Sequence, residues 1–220
     1  MKYKMKKIIL NLALIIYTVT TYSQNYVYSF TENGIINRII IDKNYLVMTS
    51  YKVDSNKFVK TIGGFYDKES NSFNISLEFN SNFKNDSISK IVIEKKANWK
   101  KISLKKNDLQ GKWLMVGRVI NGNEQRRNLD RPRKTMKFLI NGYFQWIAFN
   151  TETFQFSGSG GGKYITKDGK YIESIEYFSR DDSKVGINLE FDYELVNKEW
   201  NHKGFSSKGD ALHEIWVKRK

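Results

Sequence analysis

Residues 185–195 alternate without a break. Val185, Ile187, Leu189, Phe191, Tyr193 and Leu195 take the odd positions, and Gly186, Asn188, Glu190, Asp192 and Glu194 the even ones. Successive side chains of a strand point to opposite faces, so this segment predicts a strand with one dry and one wet face. Segments 143–149 and 171–178 are rich in aromatic and β-branched residues and predict two more. Asn141-Gly142 and the polar stretches 167–170 and 180–183 supply turns between them, and Asn33-Gly34 does so near the start. Strand-sized segments recur at a spacing of roughly 10–15 residues, which predicts an antiparallel up-and-down meander closing into a barrel. Only 126–133 offers a short helix.

The pattern also repeats. Residues 45–79 match 143–177 at a constant offset of 98 without a gap. Tyr45 falls on Tyr143, Phe58 on Phe156, Gly63-Gly64 on Gly161-Gly162, Tyr66 on Tyr164, Ser76 on Ser174 and Glu78 on Glu176. Ile91 and Ile93 fall on Leu189 and Phe191. A fixed period carrying one apolar spacing means that one structural unit was used twice. The expected division is a leader at 1–23, a first shortened repeat at 24–102, a polar linker at 103–108 and a complete second repeat at 109–220. The first repeat runs from Ile93 almost directly to Trp99. The second has about twenty residues between Phe191 and Trp216, so the first lacks a hairpin.

Composition changes this picture in three ways. The chain opens with Lys2, Lys4, Lys6 and Lys7, then an apolar run from Ile8 to Tyr17, then Thr21-Tyr22-Ser23. A basic start, a run too short to span a bilayer and small residues before a cut site form a secretory signal peptide, so the chain is expected to be exported, periplasmic or secreted. Cysteine is absent, which excludes disulfides, thiol nucleophiles and thiolate metal sites. The formal net charge is +14; the leader carries four lysines and no acid, leaving +10 for the rest. Such a field favours an anionic partner, and a solvated lysine-rich surface is the plainer reading.

Leu109-Gln110-Gly111-Lys112-Trp113 opens the second repeat, and Glu214-Ile215-Trp216-Val217-Lys218-Arg219 ends it. This pairing resembles the lipocalin and calycin superfamily. The resemblance implies that Trp113 lies across the closed barrel end, with a basic side chain from the last strand, Lys218 or Arg219, on its ring. A cation over an indole gains about 0.5–2 kcal/mol. Gly111 and Trp216 complete the expected closure. The stretches 144–148, 160–164, 173–180 and 200–204 resemble a group of uncharacterised secreted bacterial lipocalin-like proteins.

Candidate chemistry is sparse. Gly158–Lys163 is glycine-rich but runs into a strand, so it reads as a bulge or a close backbone approach and not as a phosphate loop. His202 and His213 are the only histidines. His213 and Glu214 are neighbours on a strand and face opposite ways, so no metal site and no cofactor is expected. Glu176 is repeated as Glu78 and, if inward, needs a cation, with Arg180 the nearest in sequence. No acid–base pair or nucleophile constellation stands out, so no enzyme is expected. The basic stretch 126–134 carries five cations and one acid and sits in the loop between the first two strands of the second repeat, where an anion would be attracted. It holds no aromatic residue, which disfavours nucleic acid.

The expected function is non-catalytic binding of a small apolar or amphipathic molecule, an anion in one form, inside the second barrel. Tyr143, Trp146, Tyr164 and Trp200 would line it, and Arg118, Glu176, Arg180 and His202 would fix polar groups. The alternative is a structural or protein-interaction module of the cell envelope with a filled barrel.

Overall fold

The structure, a computed structural model, describes residues 25–104 and 107–219; the expected leader, and part of the expected linker, lie outside the described residues. The first seven strands are β1 (Tyr26–Glu32), β2 (Ile35–Ile41), β3 (Tyr45–Lys52), β4 (Phe58–Glu69), β5 (Ser72–Asn80), β6 (Lys90–Glu94) and β7 (Lys100–Ile102). A single-turn helix, α1 (Phe83–Asp86), joins β5 to β6. The next nine are β8 (Gly111–Ile120), β9 (Asn123–Arg126), β10 (Arg133–Ile140), β11 (Tyr143–Asn150), β12 (Phe156–Lys167), β13 (Lys170–Phe178), β14 (Asn188–Val196), β15 (Glu199–Phe205) and β16 (Ala211–Lys218). Arg126 therefore ends a strand and 127–132 is a loop, not a helix. Asn121 and Gly122 both take positive φ, the turn geometry that folds β9 back onto β8.

The second sheet closes. Strands β10 to β16 follow one another antiparallel, and β8 pairs with β16 on one side and with β10 on the other. Eight strands thus form an up-and-down barrel, a lipocalin-like fold. On its β10 side, β8 is held by β10 through Gly111–Leu114 and by β9 through Gly117–Ile120, so the sheet forks between them.

The first sheet has the order β6-β5-β4-β3-β2-β1-β7 and stays open, because β6 and β7 do not pair. Residues 95–99 carry the chain from one edge to the other. Six Cα steps reach at most about 20 Å, whereas seven flat strands would put the edges nearly 30 Å apart. The sheet must therefore curl into an almost closed half-barrel. Trp99 fills the gap, stacked on Phe30 at 5.7 Å and on Phe73 at 6.2 Å. It stands where the second unit has its β14–β15 hairpin and first-to-last strand closure.

The repeated glycines have one cause in both units. The register slips between Gly63 and Gly64 and between Gly161 and Gly162. A Cβ on Gly64 would lie 2.0 Å from the Ser76 carbonyl, and one on Gly162 2.0 Å from the Ser174 carbonyl. No side chain fits. The slip also turns the facing strand over: Leu77 and Ile175 point inward, whereas Phe79 and Tyr177 point outward.

Those outward residues build a third core. The two units pack back to back, with Val27, Ile40, Tyr45, Val47 and Phe79 against Met136, Phe138, Tyr143, Ile147 and Phe149. The pairing follows the repeat. Phe58 stacks on its own counterpart Phe156 at 5.8 Å, and Tyr51–Tyr177 is matched by the reciprocal pair Phe149–Phe79. Repeat-related residues that meet each other or swap partners indicate a pseudo-twofold axis. Near it, Gln145 donates to Thr61 and Ser159, which are repeat equivalents, and accepts from Thr49, all buried. The two repeated glutamates also sit here. Glu78 takes a bidentate grip from Arg219 at 2.6 and 2.7 Å, and Glu176 pairs with Arg38.

Candidate functional site

Strands β8 and β10 to β16 turn Trp113, Phe144, Tyr164, Tyr171, Phe191, Trp200 and Trp216 into the second barrel. These rings pack on one another and not around a hollow. Trp200 lies 5.5 Å from Trp113, 5.8 Å from Trp216 and 5.1 Å from Tyr171. The expected ligand chamber does not lie among these seven rings: each is at most 3% exposed, so side chains fill this layer of the barrel, one of the two outcomes open to eight strands.

Among the rings lies a charged chain whose inner pair, Lys137 and Glu173, the sequence pattern did not single out. Lys137 of β10 is 5% exposed and Glu173 of β13 is 3% exposed, and Nζ lies 2.8 Å from Oε1. The same oxygen accepts from Tyr171 OH at 2.8 Å. Lys137 Nζ faces the rings of Tyr171, Trp200, Trp216 and Phe191 at 4.8–5.5 Å. It also lies 3.4 Å from His202 Nε2. An ammonium only donates, so Nε2 accepts and the neutral ring carries its proton on Nδ1. That Nδ1 faces Glu214 Oε2 at 3.5 Å, and Glu214 pairs with the half-exposed Arg118 at 3.2 Å. The charges balance from the barrel centre to the surface.

Burial, helped by Lys137, pushes the His202 pKa down to about 4, so the ring is neutral near pH 7. Burial also works against ionising Glu214, yet the neighbouring His202 ring, Lys137 and Arg118 outweigh it and hold its pKa down to about 2. Such a cluster ties β8, β10, β13, β15 and β16 together through its charges. Among the described residues, no group of three or more His, Asp or Glu side chains is placed to hold a metal ion.

The expected site residues divide into three sets. Arg118, Trp200 and His202 meet in or beside this chain, and Tyr164 lies deeper in the same core. Trp146 faces inward under Phe178 and Arg180, but Arg180 spends its hydrogen bonds on the Ser157 carbonyl and does not pair with Glu176. Tyr143 and Glu176 lie outside the barrel, at the packing surface between the units, where Arg38 covers both. For Tyr143 the reason is the two-faced use of β10 and β11; Glu176 is the residue of β13 skipped at the register slip opposite Gly161 and Gly162. Residues 137–140 and 143–149 are buried on both faces, Trp146 only in part, and a strand buried on both faces shows no alternation of dry and wet positions.

At the closed end, Lys218 Nζ lies 4.2 Å over Trp113 and donates to the Gln110 carbonyl. Burial lowers the Lys218 pKa to about 8. Gly111 has φ +127°, and a Cβ there would meet Lys218 Nζ at 2.7 Å. Trp216 packs one layer in, on Trp200. Arg219 is not part of this closure; it crosses to Glu78 and to the Tyr45 ring of the first unit.

The open half-barrel differs. At one end of it lies a cleft of about 310 Å³. Its walls are Ile62, Leu77 and Ile91 from the interior of the sheet with Val59 and Ile88, and its rim is Lys60, Asn80, Asn82 and Asp86. Asn80 is buried and donates to Asp86 and to the Ile88 carbonyl, which anchors α1 and its following turn at the rim. The Ile88 N–H first, then Asn80 and Asn82, hold the Asp86 carboxyl below its usual range.

No protein-family model matches this chain, and no curated protein does. Among solved structures it is similar to a lipocalin-like protein from Bacteroides uniformis, with 17% identity, 51% of this chain and 100% of that chain covered, and a TM-score of 0.35. No helix among the described residues is long and apolar enough to cross a membrane.

Proposed function

We propose that this is an exported, non-catalytic binding protein that takes a small apolar or amphipathic molecule in the cleft of the first half-barrel. One observation carries this reading: a cleft of about 310 Å³ has an apolar floor from the sheet interior and a polar rim on one side. Small-molecule sites have this composition, and about 300 Å³ is the lower end of their range. The polar groups at the rim fix orientation, and Ile62, Leu77 and Ile91 supply the burial. The filled second barrel then serves as the scaffold on which the half-barrel is mounted.

The test is native mass spectrometry of the protein purified from its own host, with titration of a fluorescent fatty-acid probe. Leu77→Trp fills the floor of the cleft and should abolish probe binding, while Trp146→Ala in the second barrel should leave it intact. Clean protein without a bound molecule, combined with no probe binding, would reject the reading in favour of a purely structural module of the envelope.

A further inference from the structure

The fork where β8 passes from β10 to β9 gathers Arg127, Arg133 and Lys134, and among the described residues none of the three forms a salt bridge. The loop 127–132 begins there, with the Arg127 N–H bound to the Val116 carbonyl. Arg127, Arg133 and Lys134 line one small cavity with Asn128, Leu129 and Thr135. Its volume is about 20 Å³, enough for one oxygen atom of a larger group whose remainder faces solvent.

The neighbouring Arg126 shows what a satisfied arginine looks like here. Its guanidinium holds Glu199 in a bidentate pair at 2.7 and 2.9 Å and also meets Glu124. Among the described residues, neither Arg127 nor Arg133 has a side-chain hydrogen bond or salt bridge. Lys134 donates to a backbone carbonyl, that of Leu129. Burial first, and then the facing cations Arg118 and Arg133, lower the Arg127 pKa. Glu214 is the one carboxylate that offsets them, and it is already shared by Arg118 and His202. Two unpaired guanidiniums and an ammonium around one recess present a planar, multidentate donor set, which matches an oxyanion with several acceptor oxygens.

We propose that this fork is a binding site for a phosphate-type oxyanion, gripped by Arg127 and Arg133 with Lys134 beside them. A soluble phosphate ester and a phospholipid headgroup carry the same chemistry. The site lies on the second unit and does not depend on the cleft of the first.

The experiment titrates the protein with inorganic phosphate by calorimetry at low salt and sediments it with vesicles of phosphatidylglycerol in phosphatidylcholine. The variant Arg127→Gln/Arg133→Gln is compared with Lys95→Gln/Lys101→Gln, which removes two cations from the first unit. Phosphate affinity should fall at least about tenfold in the first variant and stay within twofold in the second, because charge-assisted pairs are local and a diffuse field is not. If phosphate binds and vesicles do not, the ligand is a soluble ester; if vesicles bind more tightly than phosphate accounts for, it is a headgroup. Either supports the site, provided the arginine pair carries the effect. Equal losses in both variants would reduce the effect to net charge and overturn the proposal, as would no binding of either probe by the unaltered protein. Unchanged thermal unfolding of the variants confirms that they fold.

Discussion

The two units share a meander and differ in what they enclose. In the second, β15 lets β14 and β16 join, and the barrel shuts around three fully buried tryptophans and an ion pair. In the first, that hairpin is missing, Trp99 plugs the gap, and a cleft stays open. The offset of 98 makes the contrast concrete. Lys137 and Glu173 of the closed barrel correspond to Ile39 and Ile75 of the half-barrel, which are 0% and 2% exposed. One scaffold position accepts a buried charge pair in one copy and a plain apolar pair in the other. The pair is therefore not required by the meander. It belongs to the closed copy, where Tyr171, His202 and the aromatic faces take up the remaining hydrogen-bonding and electrostatic demand.

The largest expected effect breaks this contrast from one side. Lys137→Ile leaves Glu173 as an unpaired buried carboxylate and should cost about 3–5 kcal/mol in urea unfolding. Lys137→Ile/Glu173→Ile transplants the apolar pair of the first unit and should recover most of that loss. A double variant as unstable as the single one would show that the copies are not interchangeable at this layer.

Acid sharpens the contrast next, since the half-barrel core has no histidine. The unfolded chain binds a proton at His202 near pH 6.5, whereas the folded ring refuses it until about pH 4. The contribution is full above 6.5 and falls as pH drops from 6.5 to 4, by about 3 kcal/mol in all. Glu214 adds a further loss between its usual carboxylate range and about pH 2. Urea unfolding at pH 7, 5.5 and 4 should show this slope, and His202→Asn should flatten the upper part of it; parallel curves would place the acid sensitivity elsewhere.

Closure comes last, and its first variant carries the smallest effect. Lys218→Met removes the cation from the Trp113 face and should cost about 1 kcal/mol. Trp99→Ala removes the first unit's substitute for closure and should cost more, about 3 kcal/mol, because it leaves a cavity among Tyr28, Phe30 and Phe73. Equal costs for the two variants would mean that Trp99 is not a closing element.

Alternation, turn pairs and the repeat make the all-β meander legible in the chain itself. Each rests on local geometry: a strand shows its faces every second residue, and Asn-Gly folds a hairpin wherever it occurs. The glycine doublets were readable for the same reason, since a Cβ at Gly64 or Gly162 collides with the adjacent strand. What stayed hidden depends on contacts distant in the chain. Lys137 and Glu173 look like ordinary polar residues in their own segments and become a buried pair only when β10 and β13 meet inside a barrel. Glu176 meets Arg38 because two outer faces pack back to back, and no spacing within either repeat encodes that meeting. Tyr143 was drawn to the wrong side for the same reason: a strand buried on both faces offers the sequence no wet side to tell inside from outside. The chain alone decides which residues lie on one face; the assembled sheets decide what that face meets, because long-range packing and charge pairing are settled only when the sheets close.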